Sequence, residues 1–343
     1  MDVLITTASN AGDPKLYEIM QPSLIIIDEA ARMSEPDAWS FFAFYSSEVP
    51  KIFVGDMAQL KPNARYDNKF KQHLSLSLMG RFSLIGYPLT MFTMQHRMHS
   101  KICNLVSSVF YDGKITTAPG IDKKELSRSF SGYMLERFKM PRNVLLMNCM
   151  DSISELGAKK SPFNVTHIIL VTDIIRGLLE RGIKPSSLAV LTPYSAQFAQ
   201  YRSAFAALQT LFPGLDMRSM TLGKIDTFCR TVRESEEADI VILDLPNHER
   251  LGFLDDPSRL NIGLSRGKCG LILVANSSVI TKNKRYTSSY LARVFSYFKR
   301  ANASKVMLRS AIAEMKLPDS ASVLSKTEDE RAEEEEEEEE EVL

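Results

Sequence analysis

Short apolar runs alternate with helical patterns along most of this chain, and that alternation restricts the fold more than any other feature. The runs are rich in β-branched residues and cover residues 3–6, 24–27, 52–54, 144–147, 188–191, 240–243 and 271–274. Helical patterns cover residues 164–181, 196–211 and 257–265. Strands buried on both faces are apolar throughout, and helices connect them to parallel neighbours. The sequence therefore predicts an α/β protein of parallel sheets with flanking helices.

The length and the spacing of the predicted strands indicate how the chain is divided. A chain of 343 residues is typical of about two domains, and we expect the boundary within residues 86–90. Only about three predicted strands precede it, whereas the average sheet has roughly five or six. We therefore interpret residues 1–88 as half of a first domain and residues 89–301 as a complete second domain. Residues 302–343 are expected to form a basic and then acidic, disordered tail.

The charge of the chain is balanced overall but unevenly distributed. There are 42 Lys+Arg and 42 Asp+Glu, yet residues 328–341 hold twelve of the acids, nine of them consecutive glutamates from Glu333, and one base. Residues 1–327 therefore carry a net charge of +11. A basic body is typical of proteins that bind polyphosphates, and ordinary solubilising charge is the alternative. The glutamates predict a disordered, solubilising tail; a less favoured alternative is that they mimic phosphate in a basic groove.

The cysteines and the apolar pattern exclude several classes of protein. The cysteines form no C-x-x-C pair, which argues against a zinc site or a disulfide framework and indicates a reducing compartment. They are Cys103, Cys149, Cys229 and Cys269. No basic region precedes an apolar stretch at the start, so no secretory signal is expected, and no apolar run approaches the ~18 residues of a membrane span. We therefore expect a nuclear or cytoplasmic protein with no membrane partner.

Two adjacent carboxylates follow the apolar run at residues 24–27. They are Asp28 and Glu29, and parallel sheets bind ligands at the carboxyl ends of their strands. One carboxylate can hold the Mg²⁺ that bridges nucleotide phosphates, and a second can deprotonate the attacking water. Asp28 suits the first role and Glu29 the second. Taken alone, such a pair is more often the start of a helix, where acids interact favourably with the helix dipole.

A second polar group follows the apolar run at residues 52–54. Gly55 permits a tight exit from the strand, Asp56 comes next, and Gln59 carries an amide that both donates and accepts hydrogen bonds. Such an amide can contact a γ-phosphate and the attacking water, and can therefore sense hydrolysis. The simpler alternative is a Gly-Asp turn that caps a helix.

Two arginines of the predicted second domain complete this chemistry. Arg97 lies in the segment 95–99, and Arg266 lies near the end of the predicted helix at residues 257–265. Arginines offered across a cleft can stabilise the charge that develops during phosphoryl transfer. Either arginine alone would be an ordinary surface or ion-pair residue. We expect both arginines and the acid pair to lie on opposite walls of one cleft.

Six motifs occur in an order that is similar to that of a known family. They are Asp28-Glu29-Ala30, Gly55-Asp56-x-x-Gln59-Leu60-x-Pro62, Gln95-x-Arg97-Met98-His99, Thr192-Pro193-Tyr194-x-x-Gln197, Asp226-x-Phe228 and Leu260-Asn261-Ile262-Gly263-Leu264-Ser265-Arg266-x-Lys268. Over about residues 1 to 280, they resemble motifs II to VI of the superfamily-1 helicases, and specifically the up-frameshift and senataxin-like branch. Six motifs in order form a highly specific signal.

The resemblance implies two RecA-like domains of the P-loop NTPase type, of which residues 1–88 would be the carboxyl-terminal half of the first. It implies ATP and Mg²⁺ as ligands, single-stranded RNA or DNA as partner, and protein partners in RNA processing or surveillance. Asp28 would hold the magnesium ion, Glu29 would be the base and Gln59 would contact the γ-phosphate. Arg97 and Arg266 would be arginine fingers. Further nucleotide contacts would be Gly55, Asp56, Gln95, His96, Asn164 and Glu237. Nucleic-acid contacts would be Thr7, Thr192, Tyr194, Gln197 and Asp226.

The chain departs from the family pattern at several positions. Its 343 residues contain no Gly-x-x-x-x-Gly-Lys-Ser/Thr loop, whose backbone N–H groups and lysine hold the phosphates. Without that loop we expect ATP affinity and turnover to collapse. His96 stands where the family often has an adenine-stacking aromatic, and His167 replaces a glutamate that would touch the ribose. Cys229 and Arg230 replace an expected Gln-Gly, and Glu237 comes into register only after extra residues.

Two hypotheses account for these features. The favoured one is that the chain is the carboxyl-terminal part of an ATP-dependent helicase, truncated and impaired in ATP hydrolysis. The alternative is a non-catalytic remnant that binds nucleic acid or a protein partner. The alternative predicts salt-sensitive binding of single strands without stimulated ATPase activity.

Overall fold

The computed structural model describes residues 3–45, 47–62, 69–225, 237–247 and 249–315. The chain divides into two compact units, Met1–Phe92 and Thr93–Leu343, and each is described by itself. Among the described residues, no helix combines the length and the apolar character needed to cross a membrane. The expected contact Asp226, the replacements Cys229 and Arg230, and the predicted acidic tail all lie outside the described residues.

The first unit is a two-stranded parallel sheet with short helices. Its elements are α1 (Ala8–Ala11), α2 (Pro14–Ile19), β1 (Ile25–Ile27), α3 (Glu35–Phe42), β2 (Lys51–Phe53), α4 (Lys71–Leu74) and α5 (Leu78–Leu84). Strand β1 pairs with β2 so that Ile26 faces Ile52, which confirms two predicted strands. One side of the sheet packs on a small core that includes Ile27, Ala31 and Met79. On the other side, Ile26 is 62% and Ile52 48% exposed.

The strand predicted at residues 3–6 is wrong. These residues form no strand, and Ile5 is 93% exposed. Thr7 follows them and is the N-cap of α1, where its hydroxyl accepts a hydrogen bond from the Asn10 N–H at 3.3 Å. An apolar run becomes a strand only when a neighbouring strand accepts its backbone hydrogen bonds, and β1 pairs only with β2 in the described part of this unit.

The second unit is built on six parallel strands. Its elements are β3 (Met94–Gln95), α6 (Ser100–Phe110), β4 (Thr116–Thr117), α7 (Glu125–Phe138), β5 (Val144–Asn148), β6 (Glu155–Leu156), β7 (Pro162–Phe163), α8 (Val165–Glu180), β8 (Leu188–Thr192), α9 (Ser195–Leu211), β9 (Thr221–Lys224), β10 (Ala238–Leu245), α10 (Pro257–Ser265), β11 (Gly267–Ala275), α11 (Ser278–Lys282), α12 (Tyr290–Arg300), β12 (Ser304–Val306) and α13 (Arg309–Ala313). The strand order is β12-β5-β11-β10-β8-β9. The predicted α/β class, with parallel strands and flanking helices, is confirmed.

The core of the second unit explains why its central strands could be predicted. Residues of β5 and β8 are all buried, and β10 and β11 are almost entirely buried. Helices α7, α8 and α9 cover the sheet with fully buried side chains such as Phe130, Ile174 and Tyr201. Strand β12 pairs with β5 at the sheet edge, so the second unit continues beyond residue 301, where we expected it to end. This edge strand was not predicted because two of its three residues, Ser304 and Lys305, are polar.

Candidate nucleotide and nucleic-acid site

The acid pair of the first unit lies directly beyond β1, with both side chains exposed. Asp28 Oδ1 accepts a hydrogen bond from the Glu29 N–H at 2.9 Å. Glu29 has a φ of +52°, in the left-handed region that few residues other than glycine adopt. The next N–H, of Ala30, donates to the Val54 carbonyl at 2.8 Å. The chain therefore turns sharply at the end of β1 and presents two carboxylates to solvent.

The carboxylate oxygens of this pair fit the requirements of magnesium. Mg²⁺ prefers oxygen ligands and is usually held by one or two carboxylates together with water and substrate phosphates. Asp28 offers an exposed carboxylate of this kind. In the described part of the chain, no three His, Cys, Asp or Glu side chains are grouped to hold a metal ion by themselves. Asp28 is therefore suited to a magnesium ion that a nucleotide brings with it.

Gly55 allows the segment that follows β2 to pack closely on the segment that follows β1. A Cβ atom at this position would lie 2.7 Å from the Ala31 nitrogen and 3.1 Å from the Ala30 nitrogen. Only glycine permits this approach of the two backbones. The segments that follow β1 and β2 are consequently held side by side at the same end of the sheet.

Asp56 positions the amide of Gln59. The Asp56 carboxylate accepts hydrogen bonds from the Ala58 N–H at 2.9 Å and from Gln59 Nε2 at 2.8 Å. The Gln59 N–H donates to the Asp56 carbonyl at 3.2 Å. Both side chains are half-buried. The first unit thus places the predicted Asp28, Glu29, Gly55, Asp56 and Gln59 on two adjacent segments at one end of its sheet.

In the second unit, the Gln95 side chain shapes the turn that carries Arg97. Gln95 Oε1 accepts hydrogen bonds from the N–H groups of Arg97 and Met98, each at 2.7 Å. Gln95 Nε2 donates to the Met98 carbonyl at 2.8 Å and to Thr117 Oγ1 at 2.6 Å. These four bonds use the full capacity of the amide. Gln95, which we expected to contact the nucleotide, is therefore a positioning residue in this structure.

A charged cluster joins the arginine segment to the start of β11. Arg97 forms an ion pair with Glu237, and Lys268 Nζ lies 3.3 Å from the second oxygen of the same carboxylate. The His99 N–H donates to the Lys268 carbonyl at 2.8 Å. Arg266 ends α10, and its carbonyl accepts a bond from the Ala238 N–H at 3.3 Å. The predicted Arg97, Arg266 and Glu237 are thus held on connected segments of one unit.

The two histidines of this segment have different environments. His96, the predicted stacking residue, is exposed. His99 is buried and its Nδ1 accepts a hydrogen bond from the Lys101 N–H at 3.1 Å. Burial lowers the pKa of His99, against the opposing effect of the Asp122 carboxylate. His99 is consequently a neutral capping residue of α6, while His96 remains accessible.

The residues predicted to contact nucleic acid beyond β8 are buried in this structure. Thr192 and Gln197 are 0% exposed and Tyr194 is 5% exposed. Gln197 Nε2 donates to Asp244, and Gln197 Oε1 accepts the Asn164 N–H at 2.7 Å. The Tyr194 hydroxyl accepts a hydrogen bond from Asn247. The Gln197 side chain therefore ties α9 to β10 and to the start of α8.

Asp244 is the centre of a buried polar network that the sequence did not reveal. Its Oδ1 lies 2.7 Å from His167 Nδ1, and its Oδ2 accepts the Tyr201 hydroxyl at 2.7 Å. His167 Nε2 lies 3.0 Å from Ser152 Oγ. Asn164, expected at the nucleotide, is 0% exposed and is instead the N-cap of α8, accepting the His167 N–H at 3.2 Å. In the sequence, Asp244 could have been recognised as a buried acid because it stands within an apolar run.

The network holds a charged pair in the protein interior. Burial lowers the pKa of His167, but the adjacent Asp244 carboxylate outweighs burial and raises the pKa to about 10. Burial, and then the same carboxylate, raise the pKa of Tyr201. At neutral pH the pair is therefore imidazolium and carboxylate, and Tyr201 is a neutral donor. Such a pair is stable inside a protein only when its hydrogen bonds are satisfied, as they are here.

Comparisons with known proteins place the chain in a family. Two profiles, each described as an AAA domain, match residues 74–278 and 1–64. The chain is 28% identical over 320 residues to the Regulator of nonsense transcripts 1 of Dictyostelium discoideum, covering 92% of this chain and 22% of that protein. It is 30% identical over 286 residues to the Drosophila melanogaster homologue, covering 82% and 23%. It is 28% identical over 290 residues to the ATP-dependent helicase upf1 of Schizosaccharomyces pombe, covering 82% and 29%.

Among solved structures, an arterivirus helicase in complex with DNA matches 73% of this chain and 39% of its own chain, at 13% identity and a TM-score of 0.33. The chain spans about a quarter of the length of the curated relatives named above. The profile match over residues 74–278 and the ordered motifs agree: the chain belongs to the superfamily-1 helicases of the branch that includes the regulators of nonsense transcripts.

Proposed function

We propose that this chain contributes to an ATP-driven motor that acts on single-stranded RNA or DNA. The observation that carries the proposal is the end of the first sheet, where Gly55 packs on the Ala30–Ala31 backbone. That contact holds the exposed pair Asp28–Glu29 beside the Asp56–Gln59 unit. Two carboxylates and an anchored amide at strand ends are the groups that hydrolysis of a nucleotide requires.

Each residue has a defined part in the proposed reaction. Magnesium, when bound, neutralises charge on the β- and γ-phosphates, and Asp28 would hold it. Glu29 would accept the proton of the attacking water, and Gln59 would hydrogen-bond the γ-phosphate through an amide whose orientation Asp56 fixes.

Arg97 and Arg266 of the second unit would stabilise the developing negative charge on the same nucleotide. Arg97 forms an ion pair with Glu237. In the proposed reaction, Arg97 would leave this carboxylate and bind a phosphate of the nucleotide instead. His96, being exposed, is free to stack on a base. Thr7, also exposed, would contact the nucleic-acid backbone.

We further propose that the 343-residue polypeptide by itself binds and hydrolyses ATP poorly. None of its residues forms a Gly-x-x-x-x-Gly-Lys-Ser/Thr loop, and such a loop supplies the lysine and the N–H groups that cradle the phosphates. We propose a nuclear or cytoplasmic location and protein partners in RNA processing or surveillance, which fits relatives that regulate nonsense transcripts.

A second candidate function is nucleic-acid or partner binding without catalysis. The observation that favours it is the burial of Asn164 and His167, at 0% exposure each. The Asn164 side chain accepts the His167 N–H at 3.2 Å, and the His167 ring lies 2.7 Å from Asp244 Oδ1. Neither side chain is therefore available to the ribose of a nucleotide in this structure.

Nucleotide binding separates the two functions. We would titrate a fluorescent ATP analogue into the purified chain with and without Mg²⁺, and measure ATP turnover with and without single-stranded RNA. The motor proposal predicts magnesium-dependent binding that Asp28→Asn weakens and residual turnover that Glu29→Gln abolishes. Glu18→Gln, an exposed acid on α2 of the same unit, is the matched control. Binding that is independent of both Mg²⁺ and Asp28 would leave the non-catalytic function as the better account.

A further inference from the structure

The positive charge of this chain is concentrated in one stretch. Residues 257–313 contain eleven Lys and Arg and no Asp or Glu, a net charge of +11. Residues 1–327 as a whole also carry +11. The rest of that region is therefore neutral, and the excess belongs to the elements from α10 to α13.

Six bases of this stretch are exposed between residues 282 and 300, and together we call them the basic face. They are Lys282, Lys284, Arg285, Arg293, Lys299 and Arg300. Arg293 and Arg300 are seven residues apart, which places them two turns apart on the same side of α12. The opposite side of α12 is buried through Leu291, Val294 and Phe298. The helix is thus seated on the protein by its apolar side and presents its basic side to solvent.

Two arginines of the basic face are positioned by aromatic rings, and the charges of the face are not neutralised by ion pairs among the described residues. The Arg285 guanidinium lies 4.6 Å from the centroid of the Tyr286 ring, and the Arg293 guanidinium lies 4.6 Å from that of Tyr290. The Tyr290 ring in turn stacks on Phe110 at 5.4 Å. In the part of the chain that the structure describes, no ion pair includes any of the six bases.

Local helix electrostatics account for only part of this face. Lys299 and Arg300 lie in the last turn of α12, where cations interact favourably with the helix dipole. Lys282 likewise lies in the last turn of α11, and Lys284 and Arg285 lie in the short helical turn Lys284–Tyr286. Arg293, inside α12, has no such explanation. The turn Gly252–Asp255, which packs against α12, ends in an acid, and the next acid, Asp256, caps α10. Two acids are too few to neutralise six bases, so the basic face keeps a net positive charge.

We propose that the basic face is the docking site of the glutamate segment 333–341 of the same chain. This segment consists of nine glutamates, a charge of −9, and the six bases of the basic face carry +6. The two are thus opposite in sign and both strongly charged. Docking would neutralise the face and would keep other polyanions off it.

The connection between the two regions is long enough for docking within one molecule. Glu333 follows Met315 by 18 residues, which span at most about 60 Å. The path back to α12 is shorter than this span. Arg309, where α13 begins, follows Arg300 by nine residues and so lies at most about 30 Å from it, and α12 itself is roughly 16 Å long. A tethered occupant acts at an effective concentration in the millimolar range. Attachment to the same chain therefore favours the glutamate segment over a nucleic acid as the occupant.

Zero-length cross-linking of the full chain tests the location. A carbodiimide joins a lysine to a glutamate only where the two are in contact, and peptide mass mapping of the monomer identifies the pairs. We expect the segment 333–341 to cross-link to Lys282, Lys284 and Lys299. The control lysines Lys123, Lys124 and Lys184 are equally exposed but lie outside the face. Cross-links that are as frequent to the controls as to the face would overturn the proposal.

Competition with a free peptide tests the energetics. A labelled nona-glutamate peptide should bind a chain that lacks residues 328–343, and should bind the full chain at least about 10-fold more weakly, because the tethered copy competes. Changing Lys282, Lys284 and Lys299 together to Gln should weaken peptide binding roughly fivefold. The same change at the three control lysines should leave it within about twofold, and ~0.5 M salt should abolish it.

Two results of the competition would overturn the proposal. One is equal peptide affinity of the full and shortened chains, because a docked segment must block the face. The other is a face that binds a single-stranded oligonucleotide but not the peptide, which would make it a nucleic-acid surface. Neither result depends on ATP binding, so the proposed motor function stands or fails separately.

Discussion

Asp244→Asn should be among the most destabilising single changes in the second unit. The variant keeps the shape of the side chain but leaves the buried His167 cation without its counter-charge. Removing one partner of a buried ion pair costs about 3–5 kcal/mol. The pKa of His167 gives an independent figure: it is about 10, against roughly 6.5 in an unfolded chain. At neutral pH, a difference of three units between the pH and the folded pKa corresponds to about 4 kcal/mol.

The sign of the pH dependence follows from the direction of this pKa shift. The folded state holds the proton of His167 more tightly than the unfolded state does. The stabilisation is therefore complete below pH ~6.5 and declines by about 1.4 kcal/mol per unit until the pH passes ~10. The difference in unfolding free energy between the natural chain and Asp244→Asn should shrink along the same slope.

Urea unfolding followed by far-UV circular dichroism measures this difference. The single tryptophan, Trp39, lies on α3 of the first unit, so its fluorescence is an internal standard that the variant should not move. Asp216→Asn is the matched control, because the ion pair of Asp216 with Arg218 is exposed and should contribute less than about 1 kcal/mol. A double variant with His167→Gln should recover part of the loss. An Asp244→Asn cost no larger than that of Asp216→Asn, at any pH, would refute the buried pair.

Two further outcomes are expected. Gly55→Ala should destabilise the first unit by about 1–3 kcal/mol, because its Cβ would approach the Ala31 nitrogen to 2.7 Å; Trp39 fluorescence in urea measures this. Gly214→Ala in the second unit meets open space, and it should leave the far-UV transition in urea unchanged. Arg97→Gln should change stability by less than about 1 kcal/mol, since its ion pair with Glu237 is 43% exposed at the arginine. The same variant should abolish the residual ATP turnover if Arg97 acts on the transferring phosphate, and equal turnover of variant and natural chain would contradict that role.

The sequence predicts the interior of this fold better than its edges. Strands β5, β8, β10 and β11 lie inside the sheet, so both of their faces are buried and their sequences are continuous apolar runs. The edge strands β9 and β12 need fewer apolar residues and were not predicted. The run at residues 3–6 has the composition of a strand but no pairing partner among the described residues. The composition of a run indicates whether its side chains are buried. Whether the run pairs as a strand depends on other strands that are distant in sequence.

The candidate site shows the same division between local and distant information. Asp28, Glu29, Asp56 and Gln59 were predicted because each lies within six residues of the end of its strand. The side-chain hydrogen bonds described above for these segments span three residues or fewer. Asp244 was missed because His167, its main partner, is 77 residues away.

Motif letters mark the ends of strands, but they do not say which way a strand end faces. Beyond β1 the motif side chains are exposed. Beyond β8 they are buried, and the amide of Gln197 is hydrogen-bonded to Asp244 and to the Asn164 N–H. A glutamine that satisfies a buried carboxylate stabilises the sheet end, and it can reach a ligand only if that network opens. The acid pair of the first unit can meet a nucleotide directly, whereas the β8 segment would act by fixing the surface on which a nucleic acid lies.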